Sequence, residues 1–393
     1  MSRDRHKRVL AINSGSSSLK VSLYRIGESE QVALSVEVRR IGIPGGRIRV
    51  MNALGETLLD REEEFPDQAA ALNATLHWLK GKNHEMDAIG HRVVHGGPRY
   101  SEPHIITAEL LAALRELIPV DPDHMPQAIA AIESASRQHP SLPQVACFDT
   151  AFHRRMPQVA QLCPLPARFY DEGVQRYGFH GLSYEYVLSE LRRLDGALAD
   201  GRVVIAHLGN GASMVALQHG RSMDTTMGFT PTAGLLMGTR SGDIDPGALL
   251  YLIEEKKMTA KAVNHLLNKE SGLLGVSGIS EDMQDLLERE KSDSRAALAV
   301  EFFCHRAKKY LGAYAAALGG LDAVVFTGGI GEHAAEVRER ICSGLEFMGL
   351  QLEPASNNRN ASVISLKSSP VKVRVIKTNE EVMIARHTAK LTM

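Results

Sequence analysis

Lys20, Arg92, His180, His207 and Arg240 supply positive charge or neutral donors, while Asp149 and Glu380 supply carboxylates able to hold a divalent metal. Such a set suits phosphoryl transfer, which asks little covalent chemistry of a protein. It demands positioning, a metal ion and positive charge around the transferring group. Hydrolysis by a triad or a zinc centre fits less well, since there is no Ser-His-Asp order around a nucleophile elbow and no His-Glu-x-x-His. The phosphate-loop consensus G-x-x-x-x-G-K-[ST] is also missing, which excludes a P-loop enzyme.

Each residue has a plainer reading beside the chemical one. Arg92, in "GHRVVHGG", could be a surface ion pair at a strand end, and Asp149, in "CFDTAFH", is either a helix cap or a metal and substrate ligand. His180, in "RYGFHGLS", could be a satisfied structural histidine. Arg240 shares the Gly/Pro-rich segment "TPTAGLLMGTRSGDIDPG" with Asp243 and Asp245, and long irregular loops inside compact domains are often functional.

The elements that must position these residues alternate between strand and helix patterns. "RVLAI", "LKVSLY" and "QVALSVEV" read as strands, then "PDQAAALNATLHWLK" and "AELLAALRELI" as helices. "AIGHRVV", the helical "MPQAIAAIESASRQ" and the buried-type strand "QVACFDT" follow, giving an α/β class with a mixed sheet. "LAINSGSSSLKVSL" (10–23) overlays "VIAHLGNGASMVAL" (204–217) without a gap, Gly15 on Gly209. Both are strand, glycine-bearing polar turn, strand, which points to a duplication of domain size. A single Gly/Ser/Asn turn is an ordinary hairpin connection. Two in duplicated positions could aim backbone N–H groups, with Ser16, Ser18, Lys20 and Asn210, at phosphates. "LDAVVFTGGIGEHAAEVRERI" reads as a strand, a glycine turn and a helix starting near His333 or Ala334, a place for a nucleotide's phosphate or ribose.

The 393 residues are 44% hydrophobic and 23% charged, so two domains are expected. Lys+Arg 45 against Asp+Glu 46, with no basic block, argues against a nucleic-acid partner. No apolar run is long enough to span a membrane, and four cysteines without Cys-x-x-Cys spacing read as reduced core residues of a cytoplasmic protein.

Across residues 9 to 388 the segments "NSGSSSLK", "HRVVHGG", "FDTAFH", "RYGFHGLS", "HLGNGAS", "DTTMGFTP", "MGTRSGDIDPG", "VVFTGGIGE" and "TNEEVMIA" resemble, in order, the signature series of the acetate kinase family of short-chain carboxylate kinases. The resemblance implies a duplicated ribonuclease-H-like fold of the actin, Hsp70 and sugar-kinase type, with a cleft between two domains. One lobe would be 1–150 plus 382–393, for the acyl substrate and phosphate; the other, 151–381, for nucleotide. It implies Mg²⁺, or Mn²⁺ in its place, held by Asn13 and Glu380, with ATP and ADP as co-substrates. Asp149, Arg92, His180 and Arg240 would be catalytic, and Ser18 and Lys20 would sit on the phosphate side of the first hairpin. Val94, Phe179 and Pro231 would line a small apolar pocket for the acyl methyl, Arg92 would neutralise the acyl carboxylate or the incoming phosphoryl group, and His124 would be a phosphate contact on the substrate side. His207, Leu208, Gly209, Asn210 and Gly211 would cradle ATP phosphates. Asp282, Met283 and Gln284 with Gly329, Ile330, Gly331, Glu332 and His333 would surround the adenosine. A homodimer is implied as well.

The chain departs from the family pattern in places. The usual Pro-Leu-His-Asn-Pro is "PVDPDHMPQA", so Asp123 or Met125 stands where an apolar neighbour of the acyl group is expected. Gln284 replaces the usual arginine and His333 the usual asparagine near the adenosine. Propionate or another short acid, or pyrophosphate as donor, are therefore the alternatives to acetate and ATP. A sugar kinase would need polar sugar ligands and an Asp base, and an Hsp70-type module a peptide-binding domain.

Overall fold

The computed structural model describes residues 6–15 and 17–393, so Ser16 of the first glycine turn lies outside the described residues. The chain divides into two compact units, Met1–Ala151 with Asn379–Met393, and Phe152–Thr378. The return to the first unit falls at Asn379, earlier than 382, because Asn379 caps the last helix (Glu380–Thr392) with its side chain on Val382 N. Glu380 and Glu381 thereby belong with Asn13.

The first unit holds β1 (Lys7–Ser14), β2 (Ser18–Ile26), β3 (Glu30–Arg39), β4 (Arg47–Asn52), β5 (Thr57–Glu62), β6 (Ala88–Val93), β7 (His104–Ile105) and β8 (Gln144–Phe148), ordered β5-β4-β3-β2-β1-β6-β8-β7. The second holds β9 (Val203–Leu208), β10 (Ala212–Gln218), β11 (Arg221–Thr225), β12 (Ala323–Thr327) and β13 (Lys372–Val375), ordered β11-β10-β9-β12-β13. The run β3-β2-β1-β6-β8 has the same plan. β1 pairs antiparallel with β2 and parallel with β6, which pairs parallel with β8, just as β9 pairs antiparallel with β10 and parallel with β12, which pairs parallel with β13. The duplicated α/β architecture expected from the sequence is observed.

The ungapped overlay of the two hairpins does not survive. Ser14 stands opposite Leu19 in the first hairpin, whereas Leu208 stands opposite Ala212 in the second. Four residues of the sequence separate that pair in the first hairpin and only three in the second. A one-residue slip turns every side chain to the other face, so an exact overlay cannot hold on both sides of the turn.

Apolar alternation explains the cores. Leu10, Ile12, Leu19, Val21 and Leu23 pack with Leu72, Leu76 and Leu79 of the helix Gln68–Gly81. Val203, Ile205, Val215 and Leu217 pack with Tyr184, Val187 and Leu191 of the helix Gly181–Asp195. Each fully buried Leu, Ile or Val contributes about 1.5–3 kcal/mol. The helix Glu380–Thr392 lies close on β6 because Gly90 has no side chain: a Cβ there would meet Ile384 Cγ2 at 2.6 Å. No helix among the described residues is long and apolar enough to cross a membrane.

Candidate active site

In each unit the three mutually parallel strands end on one edge of the sheet, where α/β folds bind ligands. In the first unit β1, β6 and β8 deliver Asn13, Arg92 and Asp149 to that edge, and Lys20 stands directly opposite Asn13 across the hairpin. Arg92 donates from Nε (2.9 Å) and Nη2 (2.6 Å) to Asp149 Oδ2, and from Nη1 to Ser14 O (3.2 Å). Asn13 Nδ2 donates to Glu380 Oε2 and Glu381 Oε1, both at 2.9 Å. Arg92 Nε lies 3.8 Å from Glu380 Oε2.

These contacts separate the readings left open. Arg92 forms an ion pair, but a buried one: its side chain is 14% exposed and that of Asp149 1%. Asp149 caps no helix, since Arg92 takes Oδ2 and the buried Oδ1 has no hydrogen-bond partner. Burial pushes the Asp149 carboxyl up to about 6 against the pull of Arg92, which leaves it ionised at neutral pH. Burial works against the Arg92 charge, but Asp149 and Glu380 more than offset it, so its pKa is raised.

The donor set suits a divalent cation. Three carboxylates face one guanidinium and the exposed Lys20, leaving surplus negative charge and one orphaned buried oxygen. No group of three or more His, Cys, Asp or Glu among the described residues forms a metal cage. Mg²⁺ commonly takes one or two carboxylates and completes its shell with water and substrate phosphates.

Of the residues expected to meet the acyl substrate, this unit holds Val94, buried, and His124, whose Nδ1 lies 2.8 Å from Asp121 Oδ1. Of the two residues in doubt beside His124, Met125 is fully buried and packs with Val93, Leu114 and Phe148. Asp123 is the half-buried one.

In the second unit His180 opens the helix Gly181–Asp195 in left-handed backbone, φ 58°. Such strain in a residue other than glycine gathers at active sites. Its ring stacks on His207 with centroids 4.3 Å apart, and hydrogen bonds fix both: His180 Nδ1 to Ser213 Oγ and His207 Nδ1 to Ser183 Oγ, each 2.8 Å. A Cβ at Gly211 would lie 2.8 Å from Arg240 Nη2 and 3.3 Å from His180 Nε2, so both side chains reach the bare backbone of this turn. Arg240 Nη1 donates to Pro231 O (2.8 Å), and Phe179 and Pro231 are buried. Asp243 braces the same loop: Oδ1 accepts from Gly234 N (2.8 Å) and Oδ2 from Tyr310.

The residues expected to meet the nucleotide divide between surface and interior. Asn210 is exposed and its carbonyl accepts from Gly238 N (2.9 Å), while Gly209 lies beside Gly329 and Leu208 is buried. The glycine segment forms a short helix, Gly328–His333, before a second at Ala335–Cys342, earlier than the expected start because Gly328 adopts φ 77° directly after β12. Gly329 and His333 are exposed and Ile330 half-buried; Gly331 is buried, and the Glu332 carboxylate turns inward to accept from Gly328 N (3.0 Å) and Thr378 N (3.1 Å). Asp282 caps the helix Met283–Arg289 by accepting from Gln284 N (2.7 Å), and Met283 is core; the Gln284 side chain is exposed and donates to Glu288 (3.1 Å). Sequence reasoning missed Glu381, Asp121, Ser183 and Ser213. All four lie inside quoted segments, "TNEEVMIA", "PVDPDHMPQA", "RYGFHGLS" and "HLGNGAS", but nothing in those segments singles them out from their neighbours.

A family model described as the acetokinase family matches residues 8–386. An acetate kinase of Rhodopseudomonas palustris is 48% identical over 98% of both chains. Among solved structures, Porphyromonas gingivalis acetate kinase aligns with TM-score 0.87 at 39% identity, covering 98% of this chain and 100% of that one. A Francisella tularensis propionate kinase aligns with TM-score 0.90 at 36% identity, covering 98% and 99%. The ordered motifs, the duplicated sheets and the paired Arg92 and Asp149 thus lie in a chain that belongs to the acetokinase family.

Proposed function

We propose that the protein catalyses reversible transfer of the γ-phosphoryl group of ATP to acetate, giving acetyl phosphate and ADP. The observation that carries this reading is the buried Arg92–Asp149 pair set among surplus carboxylates at the ends of parallel strands. A carboxylic acid is ionised at neutral pH, with a pKa of about 4, so the acceptor needs no general base. One carboxylate oxygen attacks phosphorus in line, the P–O bond to ADP breaks, and no phosphoenzyme forms.

Two anions must meet, which is why cationic groups dominate the set. Arg92, its fork fixed by Asp149, neutralises the acceptor or the incoming phosphoryl group. His180 and Arg240 stabilise charge on the equatorial oxygens, and Lys20 and the 207–211 turn hold phosphates. Val94, Phe179 and Pro231 receive the acyl methyl. Mg²⁺ (or Mn²⁺), when bound through Asn13 and Glu380, neutralises phosphate charge.

Acyl phosphate trapped as the hydroxamate, from ATP and from pyrophosphate, tests the reaction and its donor. We expect it with ATP and acetate, and its absence with every short acid would sink the reading. A kcat/KM series over formate, acetate, propionate and butyrate decides the acyl chain. Propionate is the second reading because of the similarity to the Francisella tularensis propionate kinase, and a maximum at propionate would replace acetate.

A homodimer completes the proposal. The helix Pro246–Glu254, "PGALLYLIE", has no buried residue, and Leu250 (55%) and Tyr251 (51%) are exposed. A helix that buries none of its apolar side chains within its own chain is the segment we offer for the contact. Light scattering should give twice the chain mass, and a monomer would refute the dimer.

A further inference from the structure

His124 sits at the start of the helix Met125–Gln138 but makes no capping bond. Its ring instead turns to Asp121, three residues back, with Nδ1 at 2.8 Å from Oδ1. Asp121 is 4% exposed, and its Oδ2 is buried without a hydrogen-bond partner. An ionisable carboxyl buried with one oxygen unsatisfied is costly unless it has a partner of opposite charge. Burial alone would push the Asp121 carboxyl up; the His124 ring more than reverses this and holds it below its ordinary value. The pair is near the proposed acyl site, since His124 also pulls on the Asp149 carboxyl.

We propose that Asp121 is a positioning residue for His124: it keeps a proton on Nδ1 and presents Nε2 to an anionic oxygen of the transferring phosphoryl group or the acceptor. The geometry leaves Asp121 one useful orientation. As an acceptor-only carboxylate it takes the Nδ1–H, and the outer nitrogen of the ring is then the one left for substrate. When both ring nitrogens carry protons, Nε2–H donates to the oxygen while Asp121 still accepts the Nδ1–H. The carboxylate acts through the ring and never touches substrate. This inference rests on the acyl-kinase reading for the role of His124 but not for the orientation of its ring.

The full chain with Mg²⁺, ATP and acetate provides the test, with ¹⁵N NMR of the histidine ring at alkaline pH as a second readout. Wild-type His124 should carry its proton on Nδ1. Asp121→Asn, which keeps the shape but lacks the charge and can turn its amide N–H to Nδ1, should lose that tautomer and most of the activity. Asp121→Ala should lose the tautomer and drop about 10- to 100-fold in kcat/KM, the usual effect of removing a carboxylate that orients a functional histidine. In a His124→Ala background, Asp121→Ala should cost less than about two-fold, because residues acting through one another are not additive. A proton on Nε2 in the wild type would overturn the inference even if Asp121→Ala failed to fold. A full additive loss in the double variant would overturn it too. Failure of the wild type to make any acyl phosphate would instead overturn the functional reading, and the tautomer would still decide this one.

Discussion

Arg240→Ala is expected to lower kcat by about 10³-fold or more, the scale of a positioned arginine in phosphoryl transfer, with an unchanged circular dichroism spectrum. The loop that carries Arg240 is held by backbone and Asp243 contacts besides the one bond from its side chain. Its backbone is pinned by Ser241 N to Leu267 O and by Ser271 N to Thr239 O, each 3.0 Å, and by Asp243 to Gly234 N at 2.8 Å. The side chain itself makes a bond to Pro231 O and lies with His180 against the bare backbone of Gly211. Its removal deletes charge at the phosphate turn without unmaking the turn. Arg240→Lys should recover only part of the loss, because an ammonium cannot reproduce a planar fork held at one end by a carbonyl. A steady-state assay showing near-wild-type turnover for Arg240→Ala would remove the residue from the mechanism.

Much of this site was legible because hairpins and buried strands announce themselves by alternation and by the glycine that interrupts them. Asn13, Arg92 and Asp149 stand at strand ends, and strand ends can be read. β4 and β5 were not anticipated, although "RIRV" alternates, with Ile48 and Val50 buried and Arg47 and Arg49 turned outward to Asp60. Direction was the harder quantity. Glu332 and Asp282 lie in segments with nucleotide character, but one turns inward to backbone N–H groups and the other caps a helix. A sequence gives their type and not the neighbour that claims them. Distance along the chain hid the rest. Glu381 meets Asn13 across nearly the whole sequence, and that contact exists because Gly90 lets the last helix settle on β6. The hairpin register was lost for a related reason: one additional residue in a turn leaves every apolar match in place and shifts every partner.

Asp149→Asn should cost about 10²–10³-fold in kcat, comparable with deleting a preorganised charge-stabilising group, and should also raise the Mg²⁺ concentration needed for half-maximal rate. The two effects come from different oxygens. Oδ2 receives both nitrogens of the Arg92 fork, at 2.9 and 2.6 Å, and a neutral amide holds that fork less firmly. Oδ1 is buried, faces no donor, and adds charge to a set that already includes Glu380 and Glu381. Ionising this carboxyl works against burial, which pushes it up to about 6. Neutral Asn relieves that cost, so the melting temperature should fall far less than the activity. Arg92→Ala separates the two roles. If Asp149 served only to hold the guanidinium, adding Asp149→Asn to Arg92→Ala would leave the metal requirement where Arg92→Ala had put it. We expect a further rise, because the orphaned oxygen would offer its charge to a cation whether or not Arg92 is present. An identical Mg²⁺ dependence in the single and double variants would reduce Asp149 to a support for Arg92.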